Sequence, residues 1–192
     1  VDIVFATHNA HKRAEVEAIM REVWPEIHLV EPIGEAPEED GQSFADNALI
    51  KARAGFAEML IPSIADDSGI CVRALGGEPG IDSAHYSGER DDLKNLELVL
   101  TRLEGENDRQ AEFVCVAAIV DDQGEEAIEC RWPGHVTQEP FGQGGFGYDP
   151  IFRPDGYEVT AAQLSAEEKN RISHRGQAFR QLAKLLKTRY GQ

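Results

Sequence analysis

Three Asp-Asp pairs stand in the chain, at 66–67, 91–92 and 121–122, and their surroundings separate them. Asp91 and Asp92 open an amphipathic stretch carrying Leu93, Leu96, Leu100 and Leu103. Carboxylates in the first turn of a helix offset its macrodipole, so structure alone explains that pair. Asp121 and Asp122 fall in the turn Asp121-Asp122-Gln123-Gly124 between two apolar runs, again a structural position. Asp66 and Asp67 follow the apolar Ser63-Ile64-Ala65 and precede Ser68-Gly69. Adjacent carboxylates at a strand end, where side chains alternate, can send one oxygen donor into a cleft and keep the other as support. A hard cation such as Mg2+ is held by few carboxylates, with water and phosphate completing its shell. An acidic turn is the plainer reading of the same residues. Glu38, Glu39 and Asp40 offer a second carboxylate, or simply a solvated loop.

Other segments could meet a nucleotide. Thr7-His8-Asn9-Ala10-His11-Lys12 puts a hydroxyl, an amide and a lysine where a first strand reaches a helix N-terminus. Backbone N–H groups there favour phosphate and Lys12 adds a point charge, although capping alone explains Thr7 and Asn9. His8 and His11 lack a third soft ligand nearby, which speaks against zinc. In Gly144-Gly145-Phe146-Gly147-Tyr148-Asp149-Pro150, glycines flank Phe146 and free its ring to act as a flat platform for a base, or to turn into the core. Ser173-His174-Arg175-Gly176-Gln177-Ala178 clusters side-chain donors at the start of a basic helix. No phosphate-binding G-x-x-x-x-G-K-[ST], G-x-G-x-x-G after the first strand, or H-E-x-x-H occurs.

These residues need a scaffold. With 192 residues and 41% hydrophobic content the chain can bury a core, and the composition is that of a soluble globular protein. The longest apolar run, Phe113–Val120, is far short of a membrane span of ~20 residues, and no signal-like segment marks the chain for secretion. Three cysteines without a C-x-x-C pair fit a reducing cytoplasm better than a disulfide framework. The net charge of −16 argues against nucleic acid or an anionic membrane as a partner. Residues 169–192 nevertheless hold seven bases and no acid, an uneven distribution that suits a locally bound small anion, or a solvated helix. The hydrophobic pattern predicts a buried strand at 1–6, a helix carrying Val16, Ile19, Met20 and Val23, and a short strand at 27–30. Ser43 caps a helix reaching about Leu60, strand character resumes at 70–72, and a hairpin pairs 113–120 with 127–132. Ser165 and Glu168 form a capping box, and Ser173 opens the last helix. Interleaved helices and strands with one hairpin make an α/β protein with a mixed sheet.

Taken together, the segments FATHNAHK (5–12), EEDGQSFADNALIKA (38–52), IADDSG (64–69), LGGEPGIDSAHYSGE (75–89), GGFGYDPIF (144–152) and EEKNRISHRGQA (167–178) resemble those of the inosine triphosphate pyrophosphatases, in the same order and spacing over nearly the whole length. That resemblance implies Mg2+-dependent hydrolysis of non-standard purine nucleoside triphosphates (ITP, dITP, XTP) to the monophosphate and pyrophosphate. It also implies a homodimer and one domain over 1–192, built as an elongated mixed sheet flanked by helices in two lobes with the active-site cleft between them. Residue by residue, it gives Asp67 as catalytic carboxylate and metal ligand with Asp66 beside it, and Glu39 as the second metal ligand. Thr7, Asn9, Lys12, Lys51 and Ser68 match triphosphate contacts, with His8, Ala10 and His11 in the same substrate-binding turn. Phe146, Gly147, Tyr148, Asp149, Lys169, His174 and Arg175 match the nucleoside pocket. Two positions depart from the family pattern: Asp46 stands where a glutamate is usual, and Arg171 where a small residue is common. A pyrophosphatase for other modified nucleotides and a non-catalytic nucleotide sensor are the competing readings; only the sensor tolerates loss of Asp67.

Overall fold

Ile3, Val4, Phe5 and Ala6 are all buried, and their alternation sends them to two different cores. A computed structural model describes residues 1–191; Gln192, the last residue of the expected domain, lies outside the described residues. The first strand, β1, spans Asp2–Phe5. It is followed by α1 (Ala10–Val23), β2 (His28–Val30), α2 (Phe44–Met59) and β3 (Ser63–Val72). Then come α3 (Asp92–Arg102), β4 (Gln110–Asp121), β5 (Gly124–Val136), β6 (Phe152–Pro154), α4 (Ala166–Ile172) and α5 (His174–Tyr190). The sheet order is β2-β1-β3-β4-β5-β6. β1 pairs in parallel with β2 and β3, whereas β5 and β6 are antiparallel, so the sheet is mixed as the sequence predicts.

The chain divides into two units. The first holds residues 1–67, 115–130 and those from 174 onward. Here Ile3, Phe5, Ile64, Cys115, Ala117 and Ile119 pack with Val16, Ile19 and Met20 of α1 and Phe179, Leu182 and Leu186 of α5. The intervening residues, Val4, Ala6, Ala65, Val116, Ala118 and Val120, pack instead with Ala48 and Ala52 of α2. Strands buried on both faces carry apolar residues at every position, which is why β1 and β4 read as continuous hydrophobic runs. The second unit comprises residues 68–114 and 131–173. Its core gathers Ile70, Val72, Leu96, Val99 and Leu103 with the aromatic residues Phe113, Trp132 and Phe152. The Phe113 and Phe152 rings meet edge-on at 4.6 Å.

Three expectations are corrected. Asp66-Asp67-Ser68-Gly69 do not interrupt the strand; β3 runs through them without a turn. Gly69 makes this possible, because a Cβ there would lie 2.4 Å from the Gly80 carbonyl oxygen. The hairpin strands are longer than their hydrophobic runs, since β5 begins with exposed, charged residues that carry no core signal. The loop at 76–88 contains a 3-10 helix, Gly80–His85. Among the described residues, no helix is long and apolar enough to cross a membrane.

Candidate active site

The continuity of β3 decides where its two acids go. Ile64 faces the α1/α5 layer and Ala65 the α2 layer. With a period of two, Asp66 must follow Ile64 and Asp67 must follow Ala65. Their partners agree. Asp66 Oδ2 lies 3.0 Å from Lys12 Nζ of α1 and 3.5 Å from Arg175 Nη2 of α5. Asp67 instead accepts hydrogen bonds at 3.3 Å from both Lys51 Nζ and Asn47 Nδ2 of α2. Asn47 and Lys51 are four residues apart, so they share one helical face.

Lys51 gathers more than one carboxylate. Its ammonium also donates to Glu39 Oε2 at 2.7 Å, so the two expected metal ligands meet the same cation. The loop before α2 is fixed locally. Ser43 Oγ accepts from the Asp46 amide at 3.1 Å, while Asp46 Oδ2 accepts from Ser43 Oγ at 2.8 Å and from the Gln42 amide. Asp46 is therefore a helix-capping residue, and its short side chain closes the cap. Asn47 Oδ1 adds a bond from the Gly41 amide.

Electrostatics separate the neighbouring acids. Burial pushes the Asp66 carboxyl up, but Lys12, Arg175 and Lys51 outweigh it and hold it well below the usual carboxylate range. Burial also pushes Asp67 up; Lys51 and Lys12 oppose it, Glu39 and Asp66 reinforce it, and its carboxyl ends above the usual value. Burial would lower the Lys51 ammonium, yet Asp67, Asp66 and Glu39 keep it above its usual value. A carboxylate with a raised pKa, beside one fixed in the charged form, is the arrangement expected of a base and its support.

The turn before α1 is built from its own side chains. Asn9 Oδ1 accepts the Lys12 amide at 3.0 Å, and Thr7 Oγ1 accepts the Asn9 amide at 3.2 Å. Thr7 is half-buried, and His8, Asn9, Ala10 and His11 are exposed. Arg175, expected in a nucleoside pocket, is buried in the first unit and pairs with Glu15 Oε2 at 2.7 Å as well as with Asp66. His174 is buried next to it in the first turn of α5.

The aromatic segment belongs to the second unit. Asp149 Oδ2 accepts both the Phe146 amide, at 2.9 Å, and the Lys169 ammonium, at 2.6 Å. Lys169 Nζ lies 4.9 Å from the centroid of the half-buried Phe146 ring. Gly145 has φ +66°, and a Cβ there would come within 2.0 Å of Asp149 Oδ2, so the loop requires glycine at this position. Tyr148 is a core residue whose hydroxyl donates to the Ser83 carbonyl at 2.6 Å. Asp92 Oδ2 accepts the Gly147 amide at 3.0 Å. Arg171 turns to Glu168, with Nε 2.9 Å from Oε2. Ser68 follows Asp67 in β3 and opens this unit.

Sequence reasoning missed Asn47, Glu15 and Asp92. Asn47 and Glu15 stand one helical turn from residues it did single out, Lys51 and Lys12, which is the signal that could have found them. Asp92 gave none.

The donor set suits a hard divalent cation. Glu39 and Asp67 bring carboxylate oxygens to one place, each within hydrogen-bonding reach of Lys51 Nζ. Two carboxylates leave room for water and phosphate oxygens, as Mg2+ prefers.

The Ham1 family model matches residues 3–185. A protein of Leifsonia xyli subsp. xyli named dITP/XTP pyrophosphatase is 44% identical over 97% of this chain and 96% of its own length. One of the same name from Nitrosomonas europaea is 43% identical over 96% of this chain and 93% of its own. The solved structure of a HAM1 protein from Coxiella burnetii superposes with a TM-score of 0.89 at 38% identity, covering 98% of this chain and 99% of that one.

Proposed function

The chain belongs to the Ham1 family, and from that membership we propose that residues 1–192 act as one domain. It hydrolyses inosine, deoxyinosine and xanthosine triphosphates to the monophosphate and pyrophosphate, with Mg2+ as cofactor. The observation that carries this reading is the Lys51 ammonium shared by Asp67 and Glu39 at the site where β3 meets α2. The names of the relatives support the substrate class.

Asp67 and Glu39 would hold Mg2+, which when bound would supply charge to offset the triphosphate. The side chains do the rest. Asp67 orients a water molecule and takes its proton as the oxygen attacks phosphorus. The α–β anhydride bond breaks and pyrophosphate leaves. Lys12 and Lys51 meet the negative charge that grows on the departing oxygen, and Thr7, Asn9, Ser68 and the turn carrying His8, Ala10 and His11 contact the phosphates. Phosphoryl transfer asks mainly for such positioning and charge stabilisation. Phe146 is the stacking platform for the base, set by Asp149, Gly147 and Lys169, with Tyr148 anchoring the loop. His174 and Arg175 keep the nucleoside role that their motif implies. The domain works as a homodimer in the cytoplasm, a reducing compartment that suits its cysteine usage, without nucleic acid or membrane as partner.

Pyrophosphate release from ITP, dITP, XTP, ATP and GTP, with and without excess chelator, tests this. Turnover of the first three that chelator abolishes without unfolding the protein is expected. Tight ITP binding without product would make the protein a sensor; ATP turnover equal to ITP would refute the base selection.

A further inference from the structure

Resting on that reading, we propose that Asp66 is a positioning residue, which fixes the Lys12 ammonium for the triphosphate, is itself held by Arg175, and takes no part in the metal site. The two ends of the Asp66–Lys12 pair differ in access. The Lys12 side chain is 16% exposed and that of Asp66 only 1%. The cation therefore has a side open to a ligand, and the anion sits behind it.

The surroundings of Asp66 form an alternating chain of charge. Glu15 Oε2 lies 2.7 Å from Arg175 Nη1, Arg175 Nη2 lies 3.5 Å from Asp66 Oδ2, and the same oxygen lies 3.0 Å from Lys12 Nζ. Lys12 and Glu15 stand three residues apart on α1 and project from one face. The chain thus leaves α1, passes through α5 and β3, and returns to α1. Its members neutralise one another, which keeps a buried carboxylate and a buried guanidinium tolerable in the same layer. Lys12 is tethered at both ends: its amide donates to Asn9 Oδ1 at 3.0 Å and its ammonium to Asp66. A lysine stem has four rotatable bonds, so an unanchored head would sample many positions before meeting phosphate. One ammonium hydrogen spent on Asp66 leaves two for ligand oxygens. Asp67 faces the other layer with its own partners, Lys51 and Asn47, so the neighbouring acids do separate work.

The test is a double-mutant cycle on ITP hydrolysis. Wild type, Lys12→Gln, Asp66→Asn and the double variant are each assayed at saturating Mg2+ and across a Mg2+ titration, with thermal unfolding as a check on folding. Each single variant should lose roughly 10²-fold in kcat/KM, with kcat falling as well as KM rising, because Lys12 meets both the bound triphosphate and the departing charge and misplacing such a group by about 1 Å costs that much. The double variant should be no worse than Lys12→Gln, since Asp66 acts through Lys12. The Mg2+ half-saturation of Asp66→Asn should stay within about twofold of wild type, because neither charge of the pair is assigned to the metal. Losses that multiply in the double variant, or a Mg2+ requirement that rises with Asp66→Asn, overturn the proposal. If Asp66→Asn does not fold, the double variant, which removes both charges, is compared with Lys12→Gln alone, and a further tenfold loss overturns it. A wild type that turns over no triphosphate defeats the reading beneath; an active wild type with multiplying variants defeats only this proposal.

Discussion

Replacing Asp149 with asparagine tests the buried ion pair of the second unit most directly. The Asp149 and Lys169 side chains are 3% and 5% exposed and meet at 2.6 Å, so the substitution takes from a buried ammonium the carboxylate it meets. Breaking such a pair from one side costs about 3–5 kcal/mol. For a chain of this size each kcal/mol moves the midpoint by roughly 2–4 °C, so Tm should fall by roughly 6–20 °C. The asparagine oxygen can still accept the Phe146 amide, so the loss is assigned to the charge and not to the loop's hydrogen bond. Lys169→Met should cost a similar amount, for the opposite reason. The double variant, Asp149→Asn with Lys169→Met, should be more stable than either single one, because no lone charge remains. Thermal unfolding followed by circular dichroism reads all four proteins. An Asp149→Asn protein within about 1 kcal/mol of wild type, or a double variant below both singles, refutes the reasoning, because breaking a buried ion pair from one side cannot be that cheap.

Asp67→Asn should keep the fold and lose roughly 10²-fold or more in kcat for ITP; near-normal turnover at saturating Mg2+ would remove Asp67 from the chemistry. Phe146→Ala should raise KM for every purine triphosphate by a similar factor, about tenfold or more from lost stacking of roughly 1–3 kcal/mol, and an effect on one base alone would contradict a stacking role. Asp121, whose partners are Tyr190, Gln123 and Arg189, governs a pH effect on stability. Burial pushes its carboxyl up, but the Tyr190 hydroxyl at 2.5 Å, the Gln123 amide and Arg189 at 2.8 Å outweigh that and lower it. A depressed carboxyl stabilises the fold above its unfolded value and loses that contribution as pH falls through the folded value. Asp121→Asn should therefore cost about 1.5–3 kcal/mol near neutrality, and the gap to wild type should close below pH ~4; a gap unchanged in acid would reject the assignment.

What could be read from the sequence was whatever depends on local pattern. The stripe of Val16, Ile19 and Met20 marked α1, Ser43 and Asp46 marked the start of α2, and the unbroken apolar run marked β4 as a hairpin strand. Asp66 and Asp67 stand out in the sequence as a pair, yet their turn-like composition concealed the continuous strand that divides them. Gly69 reads as a turn residue but serves to admit the Gly80 backbone. Pairings between distant segments left no trace: nothing local tells Arg175 that its counter-ions are Glu15 and Asp66, or Asp92 that it holds the Gly147 amide. The same holds for Tyr148, whose motif suggests contact with a ligand while its hydroxyl is bound to the Ser83 carbonyl.

Because β3 hands consecutive residues to opposite layers, the identity of each acid is a matter of parity and not of chemistry. Asp66 and Asp67 are the same amino acid, one step apart, and only odd or even position tells them apart. Loss or gain of a single residue between Ser63 and Asp67 would present each helix layer with the other's side chain, with local composition and net charge almost untouched. A change of two residues would restore the assignment and ask only for a shift along the strand. The motif is thus protected less against substitution than against slippage, and its length is as much a part of the site as its carboxylates.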